Sequence, residues 1–179
     1  MRKLIIAALA SIGCVAAFAQ TTSERVTSSS LSNNRITAIA QDSSGHIWLG
    51  TFRGLNRFDS HEYNQYFCSS DDNSGLPDNQ IQCLLSDKTG RLWVGTMNGI
   101  CRYRDDDSFD YIPIYGTKSN NVVQIMESRS GKILINTADA ISLYNSESGN
   151  FESRLAVYSN DWQYMNGAFI SPDDRLWVF

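Results

Sequence analysis

The chain has 179 residues, with 15 basic and 19 acidic side chains and 42% apolar residues, a length typical of about one domain. Its net charge of −4 becomes more negative when the N-terminal leader and its two cations are removed, which argues against a nucleic-acid-binding surface. Eight Phe, eight Tyr and four Trp with only 19% charged residues argue against disorder.

The N-terminus has the pattern of a secretory signal peptide over residues 1–19. Two cations precede an apolar run, and Ala17 and Ala19 form an A-x-A cleavage site. We expect cleavage after Ala19 and a periplasmic product that begins at Gln20. The run is shorter than the roughly 20 apolar residues of a bilayer span, so an uncleaved anchor is the weaker alternative. A lipid on Cys14 is a second alternative, although the residues before it match a lipobox poorly.

An internal repeat follows a short predicted linker at residues 20–30. Residues 31–59 align without a gap on residues 76–104, and the two copies share charged, glycine and tryptophan positions. The shared positions on which the fold prediction rests are Asp42, Gly45, Trp48, Gly50, Thr51 and Gly54 in the first copy and Asp87, Gly90, Trp93, Gly95, Thr96 and Gly99 in the second.

Two more divergent copies complete the repeat. The third has Leu134 in place of the tryptophan and Asn136 and Ala140 in place of two glycines, and the fourth begins at about Tyr164 and reaches Trp177. The tryptophan positions are spaced by 45, 41 and 43 residues. Propeller blades repeat every 40 to 50 residues or so. The predicted blades cover residues 31–68, 76–115, 117–158 and 160–179.

Each copy has the pattern of short strands. In the first copy, alternating apolar residues and glycine-containing turns predict strands at residues 36–41, 46–51, 55–58 and 62–67. The sequence therefore predicts an all-β fold, a partial β-propeller at residues 31–179 with three to four four-stranded blades.

The repeated residues have predicted structural roles. The aspartate that opens each first turn is expected to accept hydrogen bonds from backbone N–H groups, and the glycine three residues later suits a left-handed conformation. Trp48 and Trp93 are expected to fill the wedge between neighbouring sheets. A sugar-stacking platform is the alternative, which the repetition disfavours because repeated positions are usually architectural.

The segments DSSGHIWLGTFRGL and DKTGRLWVGTMNGI resemble the two-component regulator propeller repeat. The resemblance implies a seven-bladed extracytoplasmic propeller at the N-terminus of a membrane-spanning hybrid histidine kinase of the Bacteroidetes type, which detects oligosaccharides. It also implies the remaining blades and the kinase as partners, and a possible homodimer. No cofactor is implied.

The extent of the chain departs from that resemblance. About 43 residues per blade allow three to four blades here, whereas a seven-bladed ring takes roughly 300 residues. We expect a fragment or truncated product without kinase activity. Such an open array should be marginally stable or prone to aggregation, because its end blades have unpaired edges and unburied faces.

Catalytic and metal-binding patterns are sparse. His46 and His61 are the two histidines, and neither a G-x-S-x-G nor a phosphate-binding glycine loop is present. His46 is interpreted as solvent-facing. The acidic stretches 71–73 and 105–107 lack the spacing of a calcium loop and are interpreted as solvated turns. We expect neither enzyme activity nor a metal site, and a propeller lyase with catalytic residues in other blades is the alternative function.

The topology predicts a candidate ligand face. Successive antiparallel strands reverse direction, so the turns between second and third strands share one face with the loops that join the blades. Arg53 and Asp139 suit hydroxyls or uronate carboxylates, and Phe52 or Trp162 could stack on a sugar ring. The alternatives are that these residues only solvate the rim, or that the site lies on the opposite face near Ser43 or Lys88. The candidate ligand-binding residues are Asn34, Phe52, Arg53, Asn79, Asn98, Asn121, Asp139 and Trp162.

Three cysteines remain after the leader. Cys68, Cys83 and Cys101 are odd in number and lack a C-x-x-C spacing, so neither a zinc site nor a disulfide framework follows. Cys83 lies in an apolar alternation and is interpreted as a small buried hydrophobe. The sequence leaves any pairing among the three open.

Overall fold

The computed structural model describes residues 25–28, 30–69, 75–157 and 167–179, and this part of the chain is built from antiparallel β-sheets. The first sheet has β1 (Arg25–Ser28), β2 (Ile36–Gln41), β3 (Ile47–Thr51), β4 (Gly54–Phe58) and β5 (Tyr63–Tyr66). The second has β6 (Ile81–Ser86), β7 (Leu92–Thr96), β8 (Gly99–Tyr103) and β9 (Phe109–Ile112). The third has β10 (Val122–Glu127), β11 (Ile133–Thr137), β12 (Ala140–Asn145) and β13 (Asn150–Val157), and the fourth has β14 (Ala168–Ile170) and β15 (Leu176–Val178).

Apart from β1, sequential strands are neighbours within each sheet, as in an up-and-down blade. The first strands of successive sheets, β2, β6 and β10, lie beside one another at the inner edge of the array. The sheets form an open arc of a propeller, and the predicted all-β fold and the four strands of the first copy are confirmed to within one residue. The predicted leader, the stretch 71–73 and Trp162 lie outside the described residues.

One part of the predicted linker is instead a strand. β1 pairs antiparallel with β5, with Arg25 opposite Tyr66 and Ser28 opposite Tyr63, so the first sheet has a fifth, outer strand. The repeat alignment missed it because the strand precedes the first copy and has no counterpart in the second or third sheet. β1 is extended because it pairs with the edge of β5, and that edge exists only in the folded sheet.

The core lies between the sheets. Trp48 packs between the first and second sheets with residues such as Leu92 and Phe109, and Trp93 packs between the second and third with Ile125 and Phe151. Both tryptophans are 0% exposed. This burial excludes the alternative of a sugar-stacking platform at either position.

Two repeated glycines allow the sheets to approach. A Cβ on Gly50 would lie 2.5 Å from Ile81 Cγ2, and a Cβ on Gly95 would lie 2.5 Å from Cys83 Sγ and 2.7 Å from Val122 Cγ1. In both cases a contacted atom belongs to the first strand of the next blade. Glycine is therefore required by inter-blade packing, a reason that only the neighbouring repeat supplies.

The three cysteines among the described residues are unpaired. Cys101 is buried, Cys68 and Cys83 are half-buried, and all three are free thiols. Cys83 packs against the core between the second and third sheets, and burial raises the pKa of its thiol to about 12. Among the described residues, no helix is long and apolar enough to span a bilayer.

Candidate ligand-binding rim

The blades present two rims. We call the first the connection rim, which comprises the turns 52–53, 97–98 and 138–139 with the blade-joining loops near residues 34, 79 and 121. We call the second the hairpin rim, which comprises the turns between first and second strands at 42–45, 87–90, 128–131 and 171–174 and the turn after β8 at 104–107.

Each hairpin turn of the first two blades is organised by an aspartate. Asp87 Oδ1 accepts the backbone N–H groups of Thr89 (2.9 Å) and Arg91 (3.0 Å), and its Oδ2 accepts Trp93 Nε1–H (2.8 Å) and Arg91 Nε–H (2.7 Å). Asp42 makes the corresponding bond to Trp48 Nε1–H at 2.8 Å. The backbone contacts were predicted from the turn pattern, but the bonds to the indoles were not. The constant six-residue spacing from Asp to Trp was the signal that could have shown them.

These contacts hold both aspartates in the ionised form. Burial opposes ionisation of Asp87, but the hydrogen bonds from Thr89, Trp93 and Arg91 outweigh it and lower its pKa to about 2. The pKa of Asp42 is lowered in the same way, with burial opposed by bonds from Trp48 and His46. The glycines that close the two turns have φ of +87° and +83°.

The interpretation of His46 as solvent-facing is wrong in part. Its Nδ1 lies 3.1 Å from Asp42 Oδ2, and 37% of its side chain is exposed. His61 is exposed in the turn before β5, where its backbone N–H donates to Asp59 Oδ1 (3.2 Å). Neither histidine belongs to the connection rim.

The acidic stretch 105–107 is also more than a solvated turn. Asp107 Oδ1 accepts hydrogen bonds from Tyr66 Oη–H (2.7 Å) and Tyr103 Oη–H (2.8 Å), and it pairs with Arg57 Nη1 at 3.0 Å. Tyr66 and Arg57 belong to the first blade, so this cluster joins two blades. Burial and the bond to Asp107 raise the pKa of Tyr103 to about 12.

Successive hairpin turns are tied to one another. Lys88 Nζ donates to the carbonyl oxygens of Ser128 and Arg129 at 2.9 Å each, and Asp174 Oδ1 accepts the backbone N–H of Arg129 at 2.6 Å. A cleft of about 530 Å³ on this rim is lined by residues of the first and second blades, including Ser44, Arg91 and Arg104. Both arginines of the cleft are engaged within the chain, since Arg91 pairs with Asp87 and Arg104 pairs with Asp106 and Asp110.

The connection rim has the same backbone contact in three blades. The N–H of the first turn residue donates to a carbonyl that precedes the first strand: Phe52 to Arg35 (3.1 Å), Met97 to Gln80 (3.0 Å) and Ala138 to Asn121 (3.1 Å). The hydroxyl of the preceding threonine closes each turn, as in the 2.8 Å bond from Thr51 Oγ1 to the carbonyl of Gly54. The structure thus brings together the turns and loops that the topology placed on one face.

Two of the candidate ligand-binding side chains shape the loops themselves. The Asp139 carboxylate accepts the backbone N–H groups of Lys118 (2.7 Å) and Ser119 (3.3 Å) and a bond from Thr137 Oγ1 (3.1 Å). Asn79 Oδ1 accepts the backbone N–H of Cys68 at 2.7 Å. Both residues therefore support the conformation of the rim.

The other candidates are more accessible. Asn34, Arg53 and Asn98 are exposed, and Arg35 Cζ lies 4.4 Å from the centroid of the Phe52 ring. Asn121 is half-buried, and its Oδ1 has no hydrogen-bond partner among the described residues. One face of the Phe52 ring is therefore already covered by a guanidinium.

A cleft of about 290 Å³ adjoins the connection rim. It is lined by Asn98, Asn120 and Tyr111 together with Leu76 and Pro77 among others. Tyr111 is 46% exposed and was missed by the sequence analysis, because it lies on an outer strand where alternation predicts only that it faces away from the core. Amide and phenol groups beside apolar side chains can bind a ligand that has both hydroxyl and C–H surfaces.

Comparison with known families agrees with this geometry. Residues 30–53 and 75–98 match the family described as two component regulator propeller. The chain carries two component regulator propeller repeats. The matched segments contain the Asp-to-Trp turns and the start of the second-to-third strand turns of the first two blades. No curated protein matches the chain.

Solved structures show the same fold. The chain is similar to the extracellular domain of a protein assigned to a hybrid two component system from B. thetaiotaomicron, with a TM-score of 0.69, 23% identity and coverage of 83% of this chain and 22% of that one. A second such domain from B. thetaiotaomicron has a TM-score of 0.68, 21% identity and coverage of 80% and 19%. Virginiamycin B lyase from Staphylococcus aureus has a TM-score of 0.64, 15% identity and coverage of 87% and 52%. The chain therefore spans about a fifth of the length of the two extracellular domains, and these likenesses show a β-propeller fold.

Proposed function

We propose that the chain is part of an extracytoplasmic ligand-sensing propeller of a two-component sensor, that its ligand is an oligosaccharide, and that the connection rim binds it. The observation that carries the proposal is the contrast between the two rims. On the connection rim, the turns Phe52-Arg53, Met97-Asn98 and Ala138-Asp139 have equivalent backbone contacts but different side chains. Variable side chains on a repeated backbone are how a scaffold presents specificity.

The hairpin rim supports the proposal by its different use of polar groups. Its aspartates are engaged by indoles, guanidiniums and backbone N–H groups, and its turns are tied from blade to blade. Such groups stabilise the array and are less available to a ligand. The repeat family and the extracellular domains of similar fold support a sensing role, and a membrane-spanning kinase partner and a periplasmic location are parts of the same proposal.

The lyase alternative lacks support in the described residues. His46 is bonded to Asp42, and His61 lies in the turn between β4 and β5. Neither histidine lines the cleft beside Asn98. The likeness to virginiamycin B lyase is one of fold.

Calorimetric titration of the purified chain with oligosaccharides of defined composition tests the proposal. We expect Arg53→Ala and Asn98→Ala to weaken binding by about tenfold, as loss of one hydrogen bond to a ligand does at its upper range. Ser44→Ala, in the hairpin-rim cleft, is the matched control and should bind like the unaltered chain. Loss of binding in Ser44→Ala with retention in the other two would place the site on the hairpin rim.

A further inference from the structure

Each of the three complete inner strands contains a bulge at the same place. The register of β2 with β3 shifts between Ile36 and Ala38, that of β6 with β7 between Ile81 and Cys83, and that of β10 with β11 between Val122 and Gln124. The extra residues are Thr37, Gln82 and Val123. A β-bulge re-aims a side chain and is frequent next to functional sites.

The bulges lie at the connection-rim end of the inner strands. In the first blade the residue before the bulge, Ile36, pairs with Thr51, which directly precedes the turn residue Phe52. In the second blade the two positions touch, because Gln82 Nε2–H donates to Met97 Sδ at 3.3 Å. The first three blades each have one bulge residue and one turn residue at these equivalent positions.

These pairs are accessible and differ between blades. Thr37 and Ala138 are exposed, Val123, Phe52 and Met97 are 48%, 36% and 45% exposed, and Gln82 is half-buried. By equivalent position, the three pairs are Thr37 and Phe52, Gln82 and Met97, and Val123 and Ala138. The backbone is the same in all three, so the differences lie in chemistry alone.

We infer that these three pairs form the specificity-determining inner ring of the connection rim, and that its ligand is a neutral oligosaccharide. The inference rests on the proposed function and narrows its substrate class. None of the six side chains carries a charge, and together they offer a hydroxyl, an amide and apolar surfaces. A sugar presents hydroxyl edges and C–H faces, which match that combination.

The nearest charges on this rim are partly engaged. Asp139 accepts two backbone N–H groups, and the Arg35 guanidinium stacks on Phe52. Arg53 and Lys118 are exposed cations of the rim, which would form ion pairs with a uronate but only hydrogen bonds with the hydroxyls of a neutral sugar. An acidic saccharide is therefore the informative competing probe.

The test is calorimetric titration of the 179-residue chain with maltohexaose, cellohexaose and mannohexaose as neutral probes and hexagalacturonate as the acidic probe. We expect a neutral probe to bind and hexagalacturonate not to bind. Thr37→Val and Gln82→Leu remove one polar group each at nearly constant size and should weaken that binding by about fivefold each. Ser44→Ala is the control, and thermal unfolding of each variant verifies that it is folded.

The outcomes separate this inference from the proposed function. If a neutral probe binds and neither Thr37→Val nor Gln82→Leu changes its affinity, the inner ring does not determine specificity, while the sensing proposal stands. Tighter binding of hexagalacturonate would overturn the neutral substrate class. Binding of none of the four probes would count against the proposed oligosaccharide function itself, and the inference would fall with it.

Discussion

The second and third blades have the same hairpin turn built from different side chains. In the second, Gly90 N–H donates to the carbonyl of Asp87 at 2.8 Å, and in the third, Gly131 N–H donates to that of Ser128 at 3.0 Å. Both glycines have φ near +82°, at +83° and +82°. The backbone of the turn is therefore retained although the aspartate has been replaced.

The two blades differ in what the turn holds. Asp87 accepts a hydrogen bond from the indole of Trp93, whereas the corresponding pair in the third blade is Ser128 and Leu134. Among the described residues, Ser128 Oγ has only local partners: it accepts the backbone N–H of Lys132 at 3.0 Å and shares a hydrogen bond with Ser130 Oγ at 2.9 Å. A cleft of about 170 Å³ lined by Leu134 and Leu176 among others lies between the third and fourth sheets. The comparison teaches that the glycine turn preserves the hairpin, while the Asp and Trp pair fills and rigidifies the wedge.

The largest effect is expected from loss of the wedge residue. Trp93→Ala should lower the free energy of unfolding by about 4 kcal/mol, because it empties a fully buried site. Leu134→Ala should cost about 2 kcal/mol, because its site is smaller and already loosely packed. Urea unfolding followed by circular dichroism measures both. Equal losses would show that the tryptophan has no special role.

Removal of the aspartate comes next. Asp87→Asn should cost about 3 kcal/mol, because the amide nitrogen cannot accept the indole and guanidinium N–H groups that the carboxylate accepts. Ser128→Ala, the third-blade counterpart, should cost about 1 kcal/mol, since it removes only neutral hydrogen bonds. If Ser128→Ala proved less stable than Asp87→Asn, the aspartate would not be the more important of the two turn residues.

The aspartate also predicts a pH dependence. The folded-state pKa of Asp87 is about 2, below its ordinary value of 3.8, so the unfolded chain binds the proton first as the pH falls. The carboxylate therefore contributes about 2 kcal/mol that is fully present above about pH 4 and lost towards pH 2. In unfolding experiments across this range, the stability difference between the unaltered chain and Asp87→Asn should shrink, whereas that of Ser128→Ala should stay constant.

A glycine substitution tests whether glycine is needed for the close packing of neighbouring sheets. Gly95→Ala should cost about 2 kcal/mol, because the added Cβ would meet Cys83 and Val122 of the packed interface. Gly149→Ala is the matched control: its φ is +75° but nothing lies within 4 Å of an added Cβ, so only backbone strain of about 1 kcal/mol is expected. Thermal unfolding distinguishes them, and a smaller loss for Gly95→Ala would contradict the packing explanation.

The smallest effect is a gain. The double variant Ser128→Asp with Leu134→Trp rebuilds the second-blade arrangement in the third blade, and filling the cleft should raise the free energy of unfolding by about 1 kcal/mol. Leu134→Trp alone should gain less, because its indole N–H lacks the carboxylate acceptor. If the double variant unfolds at a lower temperature than the unaltered chain, then lack of the Asp and Trp pair does not explain the looser packing between the third and fourth sheets.

Local signals in the sequence were sufficient to predict the repeat, its strands and its turn aspartates and glycines. Alternation, turn chemistry and a repeat length near 43 residues are properties of a single repeat, so they can be recognised without knowing how neighbouring blades pack. The burial of Trp48 and Trp93 also followed, since a small sheet needs a large apolar residue to cover its face.

Only the tertiary structure decided the features that need two blades at once. Gly50 and Gly95 are required by the first strand of the next blade, Asp107 joins tyrosines of two blades, and β1 exists because β5 offers it an edge. The same holds for the candidate site, where Asn98 and Tyr111 meet Asn120 across the join between two blades. Contacts between repeats depend on how the sheets pack, and the residue pattern of one repeat does not determine that packing.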